Sequence, residues 1–452
     1  LYGVATGTYG RFPFRGMRAG GPYQATASFV GYQNKRREGL QLQLDETRRL
    51  DFKLVPKTAE MDEVEVIGRR SEGVIDESRT GAATNVSAEE IDELPTIGRS
   101  ITDFTRLVPQ AQGDGSLAGA NSRYNSIKID GATLDDAFGL GDAVPGSQAG
   151  AEPISLDAIK EFNIDISPYD VTSSGFTGGQ GNAITKSGSN QFEGSFRFKG
   201  GTENFTGDDP DGIGTGEFNQ AFYVGTLGGP IIEDELFFFV SAELKRESSP
   251  ADTRVGANLE GENVFEEPTS TLNSIQDVLR NKYNYTPGGF APLTQRQDNE
   301  KLLVKLDWNI NDSHRLTLRN NYVNARDDSG IDRGDDNFTF SNSGYVFRSL
   351  QNSATATLNS TIADNMYNEA RFVYTRIRDE RDVQDAAFPE MSIAVGGERS
   401  LQAGIGRFNQ ANRLDQDLYE FTNNFTYELG DHSLTVGTSN KLFQFSNLFI
   451  QD

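Results

Sequence analysis

The sequence predicts a mainly β protein: a partial transmembrane antiparallel β-barrel in the C-terminal half, preceded by a smaller α+β domain and a truncated β-sandwich. Three observations carry that reading. From Asn190 onward apolar and polar residues alternate, as in Leu302, Val304, Leu306 and Trp308 against Lys301, Lys305 and Asp307, so each strand has one face of each kind. Very short connections, each with an Asp (Asp234, Asp312, Asp364, Asp431), take turns with long ones over about residues 201–216, 248–299, 327–344 and 378–415. The strands also reach the roughly 9 to 11 residues that cross a bilayer. Short turns on one side and long loops on the other are the outer-membrane barrel pattern. A soluble β-sandwich gives no reason for loop lengths to segregate by side.

Composition agrees. The 452 residues carry 66 Asp plus Glu against 42 Lys plus Arg, a formal charge of −24. Clustered cations for phosphate neutralisation are therefore lacking, and no nucleic-acid partner is expected. An aromatic content of 10% speaks against disorder. With no Cys and two His, thiolate sites are excluded and little is left for His-based catalysis. No run approaches the roughly 18 apolar residues of a transmembrane helix, a test that barrel strands escape.

Residues 1–57 hold short β-type runs, with Leu40, Leu42 and Leu44 alternating before Leu50, Phe52 and Leu54, the pattern of a small β-sandwich. Residues 58–85 are a polar linker carrying one β-prone string, Asp62-Glu63-Val64-Glu65-Val66-Ile67. Residues 86–189 mix helix and strand. Ser87-Ala-Glu-Glu90 is a capping box opening a helix that Pro95 stops, and a second helix is expected from Ser100 through Leu107 to Pro109. A strand ending in a turn is expected over Ser126–Gly131 and another strand over Ile159–Ile166. Residues 190–452 supply nine strands, starting near 190, 217, 234, 299, 314, 345, 363, 416 and 432. Because an open sheet cannot lie in lipid and bacterial single-chain barrels have even strand numbers, the chain reads as a fragment, entering partway through the first domain and leaving partway through the barrel.

These residues resemble TonB-dependent outer-membrane receptors, specifically the Oar-like group with an N-terminal carboxypeptidase-regulatory-like domain. Gly10–Tyr23 with Ser28–Tyr32 is similar to the second half of that domain, and Asp62–Ile67 to the TonB box, with Glu65 departing from its usual apolar run. Ile129–Gly131, Ile154–Phe162, Ser167–Asp170, Ser174–Gly181 and Thr185–Ser195 look like the plug domain and its junction with the barrel. The resemblance implies a receptor in the bacterial outer membrane, surrounded by its lipid. It further implies energised uptake of a scarce substrate (peptide, glycan or metal chelate), with a TonB-type energy-transducing partner engaging Asp62, Glu63, Val64, Glu65, Val66 and Ile67. The rival is a structural or adhesive outer-membrane barrel without import.

Enzyme chemistry finds no support. Thr185 stands where a phosphate loop needs Gly before Lys186, and His314 and His432 read as solvated turn residues. The acidic clusters at Asp208, Asp209, Asp211 and at Asp327, Asp328, Asp332, Asp335, Asp336 lack EF-hand spacing. No catalytic residue, metal site or cofactor is assigned, and the substrate-binding residues are unknown. On the strands, Phe196, Trp308, Leu318, Phe372 and Val436 are expected to face lipid, and Arg197, Lys305, Arg319, Arg371 and Lys441 the lumen. A domain filling that lumen is expected to be held by polar contacts rather than by a large apolar interface.

Overall fold

The computed structural model describes residues 20–42, 50–56, 82–94, 99–112, 115–138, 144–166, 171–207, 217–251, 253–257, 264–383, 388–430 and 432–450, with isolated positions before residue 20. Asp62–Ile67, Pro95, Ser167–Asp170, Asp208, Asp209, Asp211 and Asp431 lie outside the described residues.

At the N-terminus β1 (Gly20–Ala27) pairs antiparallel with β2 (Lys35–Leu42). The strand expected over Leu50–Leu54 is not formed: residues 50–56 meet the rest through a bridge of Pro56 to Tyr32, a bond from Gln33 N–H to Val55 C=O and a bond from the Arg37 guanidinium to Asp51 C=O. Proline offers no donor with which to continue a ladder.

The next unit, the inner domain, is a five-stranded sheet in the order β3-β6-β7-β4-β5, built from β3 (Ala82–Ser87), β4 (Ser126–Ile129), β5 (Ala132–Thr133), β6 (Ile159–Ile166) and β7 (Gly179–Thr185). Helix α1 (Ala88–Glu93) starts as expected: Ser87 caps the Glu90 N–H while the Glu90 carboxylate accepts from the Ser87 N–H at 2.8 Å. Helix α2 spans only Thr102–Thr105, short of the expected Ser100–Pro109. After it the chain tightens into i→i+3 bonds, Leu107 N–H to Phe104 C=O and Val108 N–H to Thr105 C=O. Two β-branched threonines and an uncapped start give it little to propagate on. Phe104, Phe162, Ile154 and Ile164 form the buried core between helices and sheet.

The C-terminal half is the wall. Strands β8 (Glu193–Thr202), β9 (Asn219–Ile232) and β10 (Leu236–Ala251) lead into a long loop that holds the short β11 (Arg254–Val255) and β12 (Val264–Phe265) and helix α3 (Thr269–Tyr283). Then come β13 (Leu293–Asn311), β14 (His314–Ser329), β15 (Asn337–Thr339), β16 (Tyr345–Ala363), β17 (Met366–Val383), β18 (Met391–Gly396), β19 (Arg399–Ala403), β20 (Arg413–Leu429) and β21 (His432–Leu448). Nine of these form one antiparallel sheet, β8-β9-β10-β13-β14-β16-β17-β20-β21, each strand beside its predecessor along the chain. The sheet is not closed. All nine expected strands are present, several extending further into the loops than alternation alone marked.

The faces separate as the alternation requires. Phe196, Trp308, Leu318, Phe372 and Val436 stay exposed on the outer face, while Lys305 and Arg319 are buried on the inner one. Arg or Lys on a lipid face costs about 2 to 4 kcal/mol at the midplane, which fixes the register of each strand.

The long loops are more ordered than their Gly- and Asp-rich composition suggested. Helix α3, β12, β15 and β19 enclose a second core of Phe265, Leu272, Leu279, Phe338, Phe340 and Leu401. Arg333 ties it together, donating to the carbonyls of Ala251, Gly289, Ala291 and Thr339 with its guanidinium 4.6 Å from the Phe338 ring. The helix had a visible signal, Leu272, Ile275 and Leu279 at helical spacing with Asn284 as a left-handed C-cap.

Candidate functional site

The inner domain sits against the lumenal face of the wall, and what joins them is mostly charge. Its centre is the two-residue turn Asp130-Gly131 between β4 and β5, with φ of 48° and 75°. An Asp-Gly pair meets that demand at low cost. The turn presents a carboxylate and a bare backbone to the wall.

Asp130 accepts from Thr185 N–H at 2.9 Å and from Thr185 Oγ1 at 2.7 Å, and Arg319 Nη1 of β14 donates to it at 2.9 Å. Lys305 Nζ of β13 lies 3.9 Å from the carboxylate and donates to Thr185 Oγ1 at 2.9 Å. Burial alone would raise the pKa of Asp130. The Lys305 and Arg319 cations and the Thr185 donors overcome it, holding the carboxyl at about 2 against an ordinary 3.8. Beside it Arg371 Nη1 donates to Gly131 C=O at 2.5 Å, and Lys441 Nζ to Thr133 Oγ1 at 2.8 Å. A Cβ on Gly131 would strike that guanidinium.

A second cluster lies along β10 and β13. Glu243 accepts from Ser155 Oγ at 2.6 Å and pairs with Lys301 at 2.7 Å, both ion-pair partners being buried. Asn321 Nδ2 donates to Pro153 C=O at 2.8 Å. Near β8, Asp157 pairs with Arg99 and with Arg197, which also reaches Asp92 at 2.6 Å. The five inward cations expected from the alternation thus all touch the inner domain. Apolar contact is present too, in two small patches: Phe239 and Leu303 join the inner-domain core, and Ala149 and Ala151 meet Val323, Ala325 and Phe347.

Of the remaining sequence candidates, His314 Nδ1 is paired with Ser360 Oγ at 2.9 Å, at the short-turn end of the wall. Asp327 accepts from Gln297 and Ser329, Asp328 from Arg326, and Asp335 from the Val264 N–H. Asp327 and Asp328 thus lie on β14 rather than in the loop expected over residues 327–344, and these carboxylates are tied into the structure individually.

Comparison with known proteins bears on the same parts. Residues 257–452 match the outer membrane beta barrel domain family, and residues 1–55 the carboxypeptidase regulatory-like domain family. The TonB-dependent transporter Oar of Myxococcus xanthus is 29% identical over 313 residues, 62% of this chain and 27% of that protein. The chain resembles the Oar-like TonB-dependent outer-membrane receptors along its length. The fold recurs in the siderophore receptor PirA of Acinetobacter baumannii, with a TM-score of 0.53 at 16% identity, covering 81% of this chain and 48% of that one. The outer membrane transporter YddB of Escherichia coli gives 0.54 at 12% identity with the same coverage. The receptor is an outer-membrane protein, and the chain spans about a quarter of its curated relative and about half of these solved neighbours.

One variant isolates the central latch. Asp130→Ala leaves Arg319 and Lys305 buried without their carboxylate, a loss of about 3 to 5 kcal/mol in the seating of the inner domain. Hydrogen exchange at β4 and β7 amides in the membrane-inserted receptor should accelerate at least about tenfold; unchanged protection would show that the latch does not hold the domain. Because the folded-state pKa lies below the ordinary one, this contribution is whole above pH 3.8 and fades as pH falls toward 2.

Proposed function

We propose that this receptor takes up a scarce substrate across the outer membrane with energy from a TonB-type inner-membrane partner, the inner domain (residues 86–189) acting as the plug. The observation supporting this most is the chemistry of the plug seat. Its central charged contact, Asp130 with Arg319, and the hydrogen bond from Ser155 to Glu243 of the wall's Glu243–Lys301 pair are buried while seated and can be solvated once separated. A seat made of a large apolar surface would resist removal at roughly 25 cal/mol per Å² exposed; polar contacts exchange for water at a small net cost.

In this reading Asp62-Glu63-Val64-Glu65-Val66-Ile67 is the TonB box, an extended string that adds to the partner's sheet edge and transmits a pull to β3 and α1. The domain limits 1–57, 58–85, 86–189 and 190–452 follow from the same reading. The substrate, a peptide, glycan or metal chelate, meets the loop side first. The neighbours' siderophores suggest chelates; Oar, the nearer relative in sequence, is named only as a transporter.

The test is energy dependence. Ligand copurifying with the full-length receptor is identified by mass spectrometry and then followed in cells with and without the energy-transducing partner. Surface binding should persist in both, and accumulation only where the partner is present. Accumulation without the partner would refute energised uptake, and a receptor that binds surfaces but carries no ligand would favour the adhesive alternative.

A further inference from the structure

On the outer face of the wall, at its short-turn end, the side chains leave a groove of about 270 Å³ lined by Leu236, Leu306, Leu316 and Leu318, with Trp308 and Glu235 at its mouth. It lies on β10, β13 and β14, three strands inside the nine-stranded sheet. Register arranges the lining in two rows. Leu236, Trp308 and Leu316 stand side by side in the row nearer the turns, and Leu306 faces Leu318 in the next row toward the midplane. Outward residues follow one another along a strand at about 7 Å, so the groove runs with the strands, from the headgroup level into the hydrocarbon. Trp308 and Leu318 are exposed on this face, as expected of positions that meet lipid.

The mouth of this apolar groove carries a negative charge that the fold holds in place. Asn309 N–H donates to Glu235 C=O at 2.7 Å, and Asn309 Nδ2 donates to Asp234 C=O at 2.9 Å. Asn190 Nδ2 donates to the Asp234 carboxylate at 2.6 Å, so the turn between β9 and β10 is pinned from two sides. Glu235 Oε1 then accepts from Trp308 Nε1 at 3.3 Å. The indole of a barrel's aromatic girdle ordinarily sits among the headgroups with its N–H free for them; here that N–H is spent on a carboxylate, whose charge it does not cancel. Among the described residues no Lys or Arg pairs with Glu235. Glu233 and Asp234 precede it, so the turn repels an anionic headgroup. An ammonium is drawn to the same place twice, by the carboxylate and by the face of the indole.

We propose that this groove binds a phospholipid of the periplasmic leaflet whose headgroup bears an ammonium, phosphatidylethanolamine, with the amine on Glu235 and Trp308 and one acyl chain along Leu236, Leu306, Leu316 and Leu318. The full-length protein, purified in detergent and stripped of native lipid, is mixed with equal amounts of dioleoyl phosphatidylethanolamine and dioleoyl phosphatidylglycerol, and the first lipid retained is identified by native mass spectrometry. Wild type is expected to favour the ethanolamine lipid by about fivefold or more. Glu235→Gln keeps the size of an exposed turn side chain and removes its charge, so the protein folds and the ratio falls to about one. Asp312→Asn, which removes a carboxylate from the neighbouring turn between β13 and β14, should leave the preference as in wild type. Equal retention of the two lipids by wild type overturns the proposal, as does a preference that survives in Glu235→Gln. A preference lost equally in Asp312→Asn overturns it too, because it would belong to the whole acidic rim and not to this groove.

Discussion

Removing residues 86–184 from the full-length receptor should leave a protein that still inserts into membranes but conducts ions freely, with single-channel conductance in planar bilayers raised about tenfold or more, as expected of an emptied wide barrel. The wall's integrity rests on its own backbone: β13 and β14 alone are registered over Gln297–Asn311 against His314–Asp327, and the neighbouring pairs of the nine-stranded sheet run from ten registered residue pairs in β8 with β9 to eighteen in β16 with β17. The lipid-facing side chains owe nothing to the inner domain. The deletion does strip Lys305, Arg319, Arg371 and Lys441 of partners, but onto water rather than into a dry core, so their charges remain tolerable. A deletion protein that inserts and stays closed would show that these residues do not occupy the pore, and the transport mechanism would fall with them.

The second large effect concerns the linker. In an extended strand the N–H groups of residues i and i+2 point to the same edge, so Val64→Pro with Val66→Pro removes two donors from one edge of the proposed box. Two lost bonds at about 1 kcal/mol each weaken binding roughly thirtyfold. Uptake should cease while ligand binding at the cell surface stays at its wild-type level. Glu63→Pro with Glu65→Pro empties the opposite edge, and comparing the two doubles by pull-down of the partner's periplasmic domain identifies which edge is read. Full uptake in both variants would place the energy-coupling string elsewhere.

How much of this was legible depended on whether the governing interaction was local or distant. Alternation is local, and it located all nine wall strands and assigned Phe196 outward and Arg319 inward. The Ser87-Glu90 capping box is local as well, and it formed as written. The partner of Asp130 was not legible: Arg319 is 189 positions away, and an Asp-Gly turn reads the same with or without a cation beneath it. The ordered loops were missed because Gly, Asp and Pro content dominated the reading of residues 248–299, although Leu272, Ile275 and Leu279 already spelled a helix. Helix α2 erred the other way, since a plausible start and stop do not supply the capping or propagation between them.

The folded loop layer held by Arg333 changes where this receptor can vary. Surface loops usually absorb insertions and drift freely. Here Leu272, Phe338 and Leu401 belong to different loops and share one core, so a change of length in any of them is felt by the other two. A ligand meeting this face finds it already shaped and avoids the cost of about 0.5 to 1.5 kcal/mol for each side chain that a mobile loop would have to immobilise. New specificities would then arise by exchanging side chains on a fixed frame, at exposed positions such as Val278 and Tyr283. Remodelling of the frame itself would be rare, and related receptors with different ligands should keep the core of this layer while differing on its surface.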